Sequence, residues 1–371
     1  ALYGSNAMHG VINVISAAPT EEIDNRLALE AGPYDYYRAK YRYSNTIGKH
    51  GISVSANGTT DGGYKDDSDY DQQKATVRHD YAGEHWDVRT VLDAANLNQN
   101  TAGFIEGYQA YKDNDLKKRN PNPNAYRDAW SVRLYSAASI ALNDTNTLTL
   151  TPYLRDNDME FLQHFLPWQP VEENAHDSLG LRATVQTNID TLRWINGIDA
   201  EYTNASLKET QDEDFSPNQP ASVHYDYQVN ATGGAIYSQL RTQSDSPWEI
   251  DGGVRLEYTN YDYTNKIADG SGCGPEATNC RFYRPSDREN DFTDCSLNAG
   301  ASYSITEDHI VYLRVARGFR APQATELYRL QGGQETANLD SEKIDNIELG
   351  LRGDWLGTAR YDVAVYYMHK D

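Results

Sequence analysis

Apolar and polar residues alternate with a period of two along most of this chain. Between Trp130 and Leu142, the apolar side chains fall on one side of an extended backbone, and polar ones such as Arg133 and Tyr135 fall on the other. The same alternation recurs in three further segments, 148–155, 179–186 and 250–258. Because successive side chains of a β-strand point to opposite faces, the pattern predicts strands with one apolar and one polar face.

The predicted strands are joined alternately by short and long connections. Leu27–Gly32 and Tyr36–Asn45 form the first expected pair, linked by residues 33–35. Short turns are expected at 47–51, 82–84, 143–146, 189–190, 244–247, 306–308 and 356–357. Long loops are expected at 59–71, 98–126, 160–175, 206–225, 264–290 and 319–341. Short turns on one side and long loops on the other are typical of a transmembrane β-barrel.

The expected fold class is therefore all-β, an antiparallel transmembrane β-barrel with about fifteen strands in this sequence. An odd number of strands would leave an unpaired edge in lipid, so we expect the barrel to continue beyond this sequence. A soluble antiparallel sandwich also alternates apolar and polar residues, and it stays the alternative fold.

Composition fits membrane strands better than membrane helices. Mean hydropathy is −0.75, and no segment approaches the roughly 20 apolar residues that a membrane helix needs. A transmembrane strand needs only about 9–11 residues of alternating character, so a polar average does not exclude one. The chain has 28 Tyr against 7 Phe. Tyrosine favours membrane–water interfaces, because one end of its side chain is apolar and the other is polar.

Charge and cysteine content restrict the partners and the compartment. The formal net charge of −22 argues against nucleic acid as a partner, because phosphate binding needs a basic face. Of the three cysteines, Cys273 and Cys280 lie close together in a segment rich in Gly and Pro. We expect a disulfide between them in an oxidising compartment, with Cys295 as a competing partner for either one.

Two regions carry motifs beyond the strand pattern. In the first, Gly4 and Gly10 punctuate a turn that leads into a predicted apolar β-run, Val11–Ile15, which Asn13 interrupts. The second region is Arg314–Pro322 with the segments that follow it. Its motif residues are Arg314, Arg317, Gly318, Arg320, Pro322, Glu326 and Glu348. In this order, the two regions resemble the end of the plug domain and a later barrel strand of TonB-dependent outer-membrane receptors.

The resemblance implies a plugged barrel of about 22 strands, in which residues 1–20 end the plug domain and residues 21–371 form part of the barrel. It also implies a receptor in the outer membrane of a Gram-negative bacterium, in contact with lipid and lipopolysaccharide. Such receptors import a scarce nutrient chelate with energy from TonB, which would bind a box upstream of this sequence. A ferric siderophore is the expected cargo. Cobalamin or another substrate of the same family, and a passive porin-like barrel, are the alternatives.

An aromatic group in one predicted loop is the first candidate for ligand contact. Phe161, His164, Phe165 and Trp168 make this loop unusually apolar for an external segment. Their rings would stack on a planar chelate or a corrinoid. The alternative is that they pack the loop against its neighbours.

Basic residues gather in two other predicted loops despite the acidic total. Lys112, Lys117 and Arg119 lie in one loop, and Arg281 and Arg284 lie in the other. They would bind an anionic ferric siderophore through charge-assisted hydrogen bonds. Contact with lipopolysaccharide phosphates, or simple solvation, is the alternative.

The sequence predicts no enzyme and no cofactor. Asp67, Asp69 and Asp71 have the alternate spacing that begins an EF-hand, but Gln72 and Arg78 stand where that motif needs Gly and Glu. An EF-hand is therefore not expected, and a looser calcium site is the alternative. No nucleophile with an ordered base and no closed set of metal ligands is recognisable, so we expect transport rather than catalysis.

Overall fold

The computed structural model describes residues 11–243, 246–355 and 357–371. The predictions for Gly4 and Gly10 lie outside these residues, as do parts of the turns predicted at 244–247 and 356–357. The rest of the chain can be compared with the sequence pattern strand by strand.

Within the described residues, the strands are almost all long and antiparallel. The first nine are β1 (Asp24–Gly32), β2 (Tyr36–Ile47), β3 (His50–Asp61), β4 (Tyr70–Ala82), β5 (Trp86–Asn100), β6 (Tyr126–Ala141), β7 (Asn146–Leu162), β8 (Val171–Ile189) and β9 (Leu192–Gln211). The others are β10 (Ser222–Thr242), β11 (Trp248–Asn265), β12 (Gly270–Ser271), β13 (Phe282–Arg284), β14 (Arg288–Thr306), β15 (His309–Arg320), β16 (Leu330–Gln331), β17 (Glu342–Trp355) and β18 (Ala359–Lys370). One α-helix, α1 (Ala324–Tyr328), and two 3-10 helices, Ala110–Lys112 and Leu116–Lys118, lie in loops.

Fifteen of the described strands form one sheet, in which each strand pairs with the next of these fifteen along the chain. The remaining three, β12, β13 and β16, form a small separate sheet. In the described part of the chain, β1 pairs only with β2 and β18 only with β17, so the large sheet is open. The all-β antiparallel prediction and the count of about fifteen barrel strands are confirmed.

The connections alternate as predicted, but three long loops are much shorter than expected. The loop expected at 59–71 covers only 62–69, the one expected at 160–175 covers only 163–170, and the one expected at 206–225 covers only 212–221. Those three predicted ranges were wrong because the strands continue past the ends that the sequence indicated. Near those ends even the outward side chains are polar, as at Asp158 and Lys208, so the sequence there has the composition of a loop.

The predicted apolar face is the outer face of the sheet. Leu154, Leu179 and Ile198 are each at least half exposed although they lie in regular strands. On the opposite, inner face lie polar side chains, including Arg133 and Tyr135. Transmembrane barrels have this arrangement, apolar towards lipid and polar towards the lumen. No helix in the described residues is long and apolar enough to cross a membrane.

Three inner-face tyrosines each lie over a glycine of the neighbouring strand. The pairs are Tyr153 with Gly180, Tyr237 with Gly197 and Tyr312 with Gly350. A Cβ atom added at these glycines would lie 2.2–2.3 Å from the tyrosine ring. Each glycine therefore leaves the space that its tyrosine ring fills.

Residues 11–20 lie against the inner face without forming a strand. The prediction of a β-run at Val11–Ile15 was wrong. The backbone groups of the large sheet are already paired between its own strands, so its face offers no edge for another strand to join. Polar side chains hold the segment instead: Arg78 donates to the Ser16 carbonyl, and Ser44 Oγ accepts from the Thr20 amide at 2.8 Å.

Candidate functional site

A folded platform covers the loop ends of β9 and β10. It consists of the small sheet β12, β13 and β16 together with α1, and we call it the loop platform. Its core is a group of buried, mostly aromatic side chains, Leu207, Tyr225, Tyr227, Val229, Tyr263, Phe282, Leu327 and Tyr328. The Tyr225 hydroxyl donates to the Leu330 carbonyl at 2.5 Å, which joins β10 to β16. Cys273 and Cys280 form a disulfide in the 266–287 loop, which contains β12 and β13, with an S–S distance of 1.99 Å.

A buried ionic network fastens this platform to the large sheet. Arg329, directly after α1, donates to Glu172 of β8 at 2.8 Å and also to Glu209 of β9. Gln163 Nε2 donates to Glu172 at 2.8 Å. Glu172, Glu209 and Gln163 are all at least nine-tenths buried. Since buried charges need partners, Arg329 is the residue that makes two buried carboxylates compatible with this position.

His224 completes the network from the other side. Its Nδ1 lies 2.9 Å from Glu209 Oε1, and its Nε2 lies 3.0 Å from the Pro220 carbonyl. The ring is fully buried and stacks on Phe282, with centroids 3.5 Å apart. Both ring nitrogens thus face oxygen acceptors.

Burial and charge pairing act in opposite directions on the pKa of Glu209. It lies beyond Tyr202, the last exposed apolar residue on the outer side of β9, and so outside the membrane-spanning part of the strand. Burial by itself raises the pKa of Glu209. The hydrogen bond from His224 and the positive charge of Arg329 outweigh burial and lower that pKa below its usual value.

A cavity of about 450 Å³ opens beside the network. Aromatic and charged side chains line it together, among them Phe161, Phe165, Trp168, Tyr225, Glu172, Glu209, Arg281 and Arg329. The Arg281 guanidinium lies 4.6 Å from the Trp168 ring centroid. Trp168 Nε1 is buried and has no hydrogen-bond partner among the described residues. The cavity therefore combines aromatic rings with two arginines and two carboxylates.

The structure brings four of the predicted ligand residues to this cavity, from three separate elements. Phe165 and Trp168 come from the 163–170 loop and Arg281 from the 266–287 loop. Phe161 belongs to β7, so its assignment to a loop was wrong. His164 is adjacent but does not line the cavity; its ring packs edge-on against Phe165 at 5.9 Å.

The remaining basic candidates lie elsewhere. Arg284 supports the platform by donating to the carbonyls of His224 at 2.8 Å and Val223 at 2.6 Å. Lys112, Lys117 and Arg119 lie in the 101–125 loop, where Lys112 and Lys117 donate to nearby side-chain amides. These three do not line the cavity.

The motif residues of the second region lie on β15, β17 and the loop between them. Arg320 contacts Glu326 with two 3.0 Å hydrogen bonds, and Arg317 contacts Asp345 with two of 2.6 Å. Arg314 and Glu348 face each other across β15 and β17, Gly318 lies opposite Ile344, and Pro322 is buried at the start of the loop. From the first region, Asn13 lies on the inner face.

The Arg320–Glu326 contact predicts a pH dependence of the platform. The hydrogen bonds from Arg320 lower the pKa of Glu326, which lies in α1. A carboxyl with a lowered folded-state pKa contributes stability above its ordinary pKa and loses it as pH falls through the lowered value. We expect the rate of protease cleavage within residues 321–341 to rise as the pH falls into the acidic range. Between pH 6 and 8 the contribution of Glu326 to stability should not change, so it should not alter the cleavage rate there.

Glu326→Gln is the matched variant for this test. It removes the titrating group but keeps an oxygen acceptor, so its cleavage should be faster at neutral pH and should change less on acidification. A wild-type cleavage rate that is constant through the acidic range would contradict the prediction.

Metal-binding side chains do not converge in the described residues: no group of three or more His, Cys, Asp or Glu is placed to hold an ion. Of the acidic loop residues, Asp69 accepts a hydrogen bond from Asn100 at 2.8 Å, and the Asp67 carbonyl accepts one from Asn120 at 2.9 Å. The first contact ties the 62–69 loop to the end of β5, and the second ties it to the 101–125 loop.

Comparison with known proteins relates this architecture to one protein family and to several solved structures. A family model described as TonB dependent receptor-like, beta-barrel matches residues 22–371. The chain is similar in structure to the ferric citrate transporter FecA in its unliganded form, with a TM-score of 0.75 and 14% identity over 100% of this chain and 55% of that one. It is also similar to the ferric-catecholate import receptor Fiu from E. coli K12, with a TM-score of 0.75 and 15% identity over 99% of this chain and 61% of that one.

A third similar structure is the ferric yersiniabactin uptake receptor FyuA from Yersinia pestis, with a TM-score of 0.71 and 18% identity over 99% of this chain and 58% of that one. This chain thus spans between 55% and 61% of the three matched structures. At such low identities the structures establish the fold. The family model covers nearly all of the sequence, so the chain belongs to the TonB dependent receptor-like β-barrel family.

Proposed function

We propose that the intact protein imports an anionic iron chelate, a ferric siderophore, across the outer membrane of a Gram-negative bacterium. TonB supplies the energy through a box upstream of residue 1. In this proposal residues 1–20 end a plug domain and residues 21–371 form part of its barrel. The contact between Arg78 and Ser16 on the inner face supports that division.

The observation that carries the proposal is the loop-side cavity. The rings of Phe161, Phe165 and Trp168 line it together with the Arg281 guanidinium, a combination that suits a planar or catecholate-like group with negative charge. A site of about 450 Å³ has the size of an ordinary small-molecule pocket. Similar structures are named for ferric citrate, ferric catecholate and ferric yersiniabactin, which agrees with an iron chelate as cargo.

The direct test is growth on single iron sources. A strain that lacks the full-length gene should fail to grow on one or more ferric chelates, and the complemented strain should recover. Copper belongs in the same panel because a similar structure is named copper transporter OprC. Cobalamin and small sugars complete this panel of compounds. Uptake that needs no TonB, or no uptake defect on any compound, would overturn the proposal.

The cavity residues should control binding of whichever chelate supports growth. Trp168→Ala removes the stacking face and Arg281→Gln removes the cation. We expect each variant to bind that chelate roughly tenfold more weakly, because a hydrogen bond to a charged group or a stacked ring is worth about 1–3 kcal/mol. Equilibrium binding to the purified full-length receptor measures the loss.

Two matched changes serve as controls. His164→Ala alters the same loop outside the cavity, and Arg119→Gln removes a loop cation that the structure places elsewhere. Both should bind like the wild type. Equal losses in Arg119→Gln and Arg281→Gln would mean that diffuse charge, rather than the cavity, attracts the chelate.

A further inference from the structure

Two histidines meet on the outer face of the large sheet, at the end where the short turns lie. His50 is the first residue of β3, and His79 lies near the end of β4. Ser53 of β3 and Arg78 of β4 line the inner face. Because side chains alternate between the two faces of a strand, His50 and His79 point outwards, away from the lumen.

The pair belongs to a group of aromatic side chains at this end of the sheet. The His50 ring packs against Tyr81 with centroids 5.1 Å apart, and Tyr81 packs against Trp86 with centroids 4.5 Å apart. Tyrosine and tryptophan are enriched where a membrane meets water. His50 is exposed and directly follows the turn at 48–49. The imidazoles therefore lie at the level of the membrane–water interface, within reach of dissolved ions.

The two rings are close to the spacing of a metal chelate. His50 Nδ1 lies 3.1 Å from His79 Nε2, and the ring planes differ by 20°. Imidazole nitrogens bind Zn²⁺ at about 2.0–2.1 Å, so two such ligands at a tetrahedral angle lie about 3.3 Å apart. A small rotation of the exposed His50 ring would direct both lone pairs at one ion.

The backbone fixes this spacing. β3 and β4 pair without a bulge, and His50 lies opposite Tyr81 while Ile52 lies opposite His79. The two histidines are thus diagonal neighbours on one face of an antiparallel pair, a position from which aromatic side chains reach each other. Ligands on two paired strands are held in place before an ion arrives.

No internal anion competes for the two rings. The nearest charged side chains pair with one another: Lys49 lies 3.8 Å from Glu84, and Asp80 contacts Arg78 on the inner face. Among the residues that the structure describes, neither histidine is ion-paired with a carboxylate. Both rings are therefore available to an ion from solution.

The pair does not depend on the inner face or on the open edges of the sheet. Residues 11–20 lie against the opposite face, and β1 and β2 separate β3 from one edge. The other edge, β18, is further away along the sheet. Both ligands and their supporting strands lie within the described residues.

We propose that His50 and His79 form a two-histidine site for a divalent transition-metal ion of the kind that imidazole favours, such as Ni²⁺, Cu²⁺ or Zn²⁺. Water completes the coordination of the ion, so the site is open and needs no third protein ligand. An ion bound there crosslinks β3 and β4 beside their turn-side ends. The site is separate from the loop-side cavity and does not rest on the proposed import.

Titration with Ni²⁺ tests the site in the purified full-length receptor, prepared without a polyhistidine tag. His50→Gln and His79→Gln each remove one imidazole. We expect each variant to bind Ni²⁺ at least about tenfold more weakly than the wild type, a loss of about 1.4 kcal/mol. Mg²⁺ should not bind at this site, because it prefers oxygen ligands. Metal bound elsewhere in the receptor is common to all variants, so the difference between them reports on this pair.

His309 provides the matched control. It begins β15 after another short turn, but its Nδ1 lies 2.8 Å from the Tyr361 hydroxyl instead of a second imidazole. His309→Gln is the same chemical change in a histidine without a histidine partner. This variant should bind Ni²⁺ like the wild type.

Thermal unfolding in the same samples gives a second readout. An ion that binds only the folded state raises the Tm. Ni²⁺ should raise the Tm of the wild type and of His309→Gln, and should leave the Tm of His50→Gln and His79→Gln unchanged. The metal-free Tm of each variant measures the loss of the contact between the two rings, so it separates a structural role from metal binding.

Three results would overturn the site. They are no Ni²⁺ binding by the wild type, binding by His50→Gln and His79→Gln that equals the wild type, and an equal loss of binding in His309→Gln. The last result would mean that single surface histidines, rather than this pair, bind the ion. None of these measurements requires transport, so they are independent of the growth test of the proposed function.

Discussion

Replacing Arg329 by methionine is expected to release the loop platform from the ends of β8 and β9. The change leaves Glu172 and Glu209 buried together without the cation that both contact. Breaking a buried ion pair by removing one partner costs about 3–5 kcal/mol, because the remaining charge is uncompensated. This is the largest local effect we expect from any single substitution in the loops.

Amide hydrogen exchange at residues 324–331 measures the release. These amides should exchange far faster in Arg329→Met, whereas amides in the middle of β8 and β9 should keep their protection. Arg360→Met removes an exposed arginine and serves as the control. Adding Glu209→Gln to Arg329→Met removes one of the unpaired charges and should restore part of the protection. Unchanged exchange in Arg329→Met would refute a role for the network in holding the platform.

The second large effect is expected at Gly180. A Cβ there would lie 2.2 Å from Cζ of Tyr153. The ring cannot simply turn away, because its hydroxyl bonds Glu201 and guanidinium groups stack on it. Gly180→Ala should therefore lower the free energy of unfolding by about 1–3 kcal/mol, the usual cost of overpacking.

Gly233 provides the matched control, since a Cβ added at this strand glycine meets nothing within 4 Å. In detergent solution, Gly233→Ala should unfold at the same urea concentration as the wild type. Combining Gly180→Ala with Tyr153→Ala removes the clash, and the double variant should be no less stable than Tyr153→Ala alone. If Gly180→Ala and Gly233→Ala unfold at the same urea concentration, the packing of the Tyr153 ring does not depend on Gly180.

Sequence periodicity was sufficient to predict the main sheet. Alternation such as that at Trp130–Leu142 fixes which side chains face outwards, because a one-residue shift of register would move every apolar group to the polar side. The short turns were equally accessible, since hairpin connections depend on local residues. The ends of the strands were less predictable. Beyond Tyr202 the outward side chains of β9 become polar, while its pairing with β10 continues to Gln211.

The candidate site was only partly predictable for a different reason. Phe165 and Trp168 stood out because aromatic residues are unusual in an exposed loop. Glu209 and His224 gave no such signal, since each looks like an ordinary polar residue in its own segment. Their role depends on Arg329, which is 120 residues from Glu209 in the sequence.

The sequence by itself thus determined the architecture of this protein: antiparallel strands, an apolar outer face, a polar inner face, and loops of unequal length on the two sides. These features follow from local periodicity, which each strand carries in its own residues. Only the tertiary structure decided which distant side chains meet, in the cavity beside Trp168 and on the inner wall around Tyr153. Contacts between strands depend on register and on the shape of the whole sheet, and no single segment encodes them.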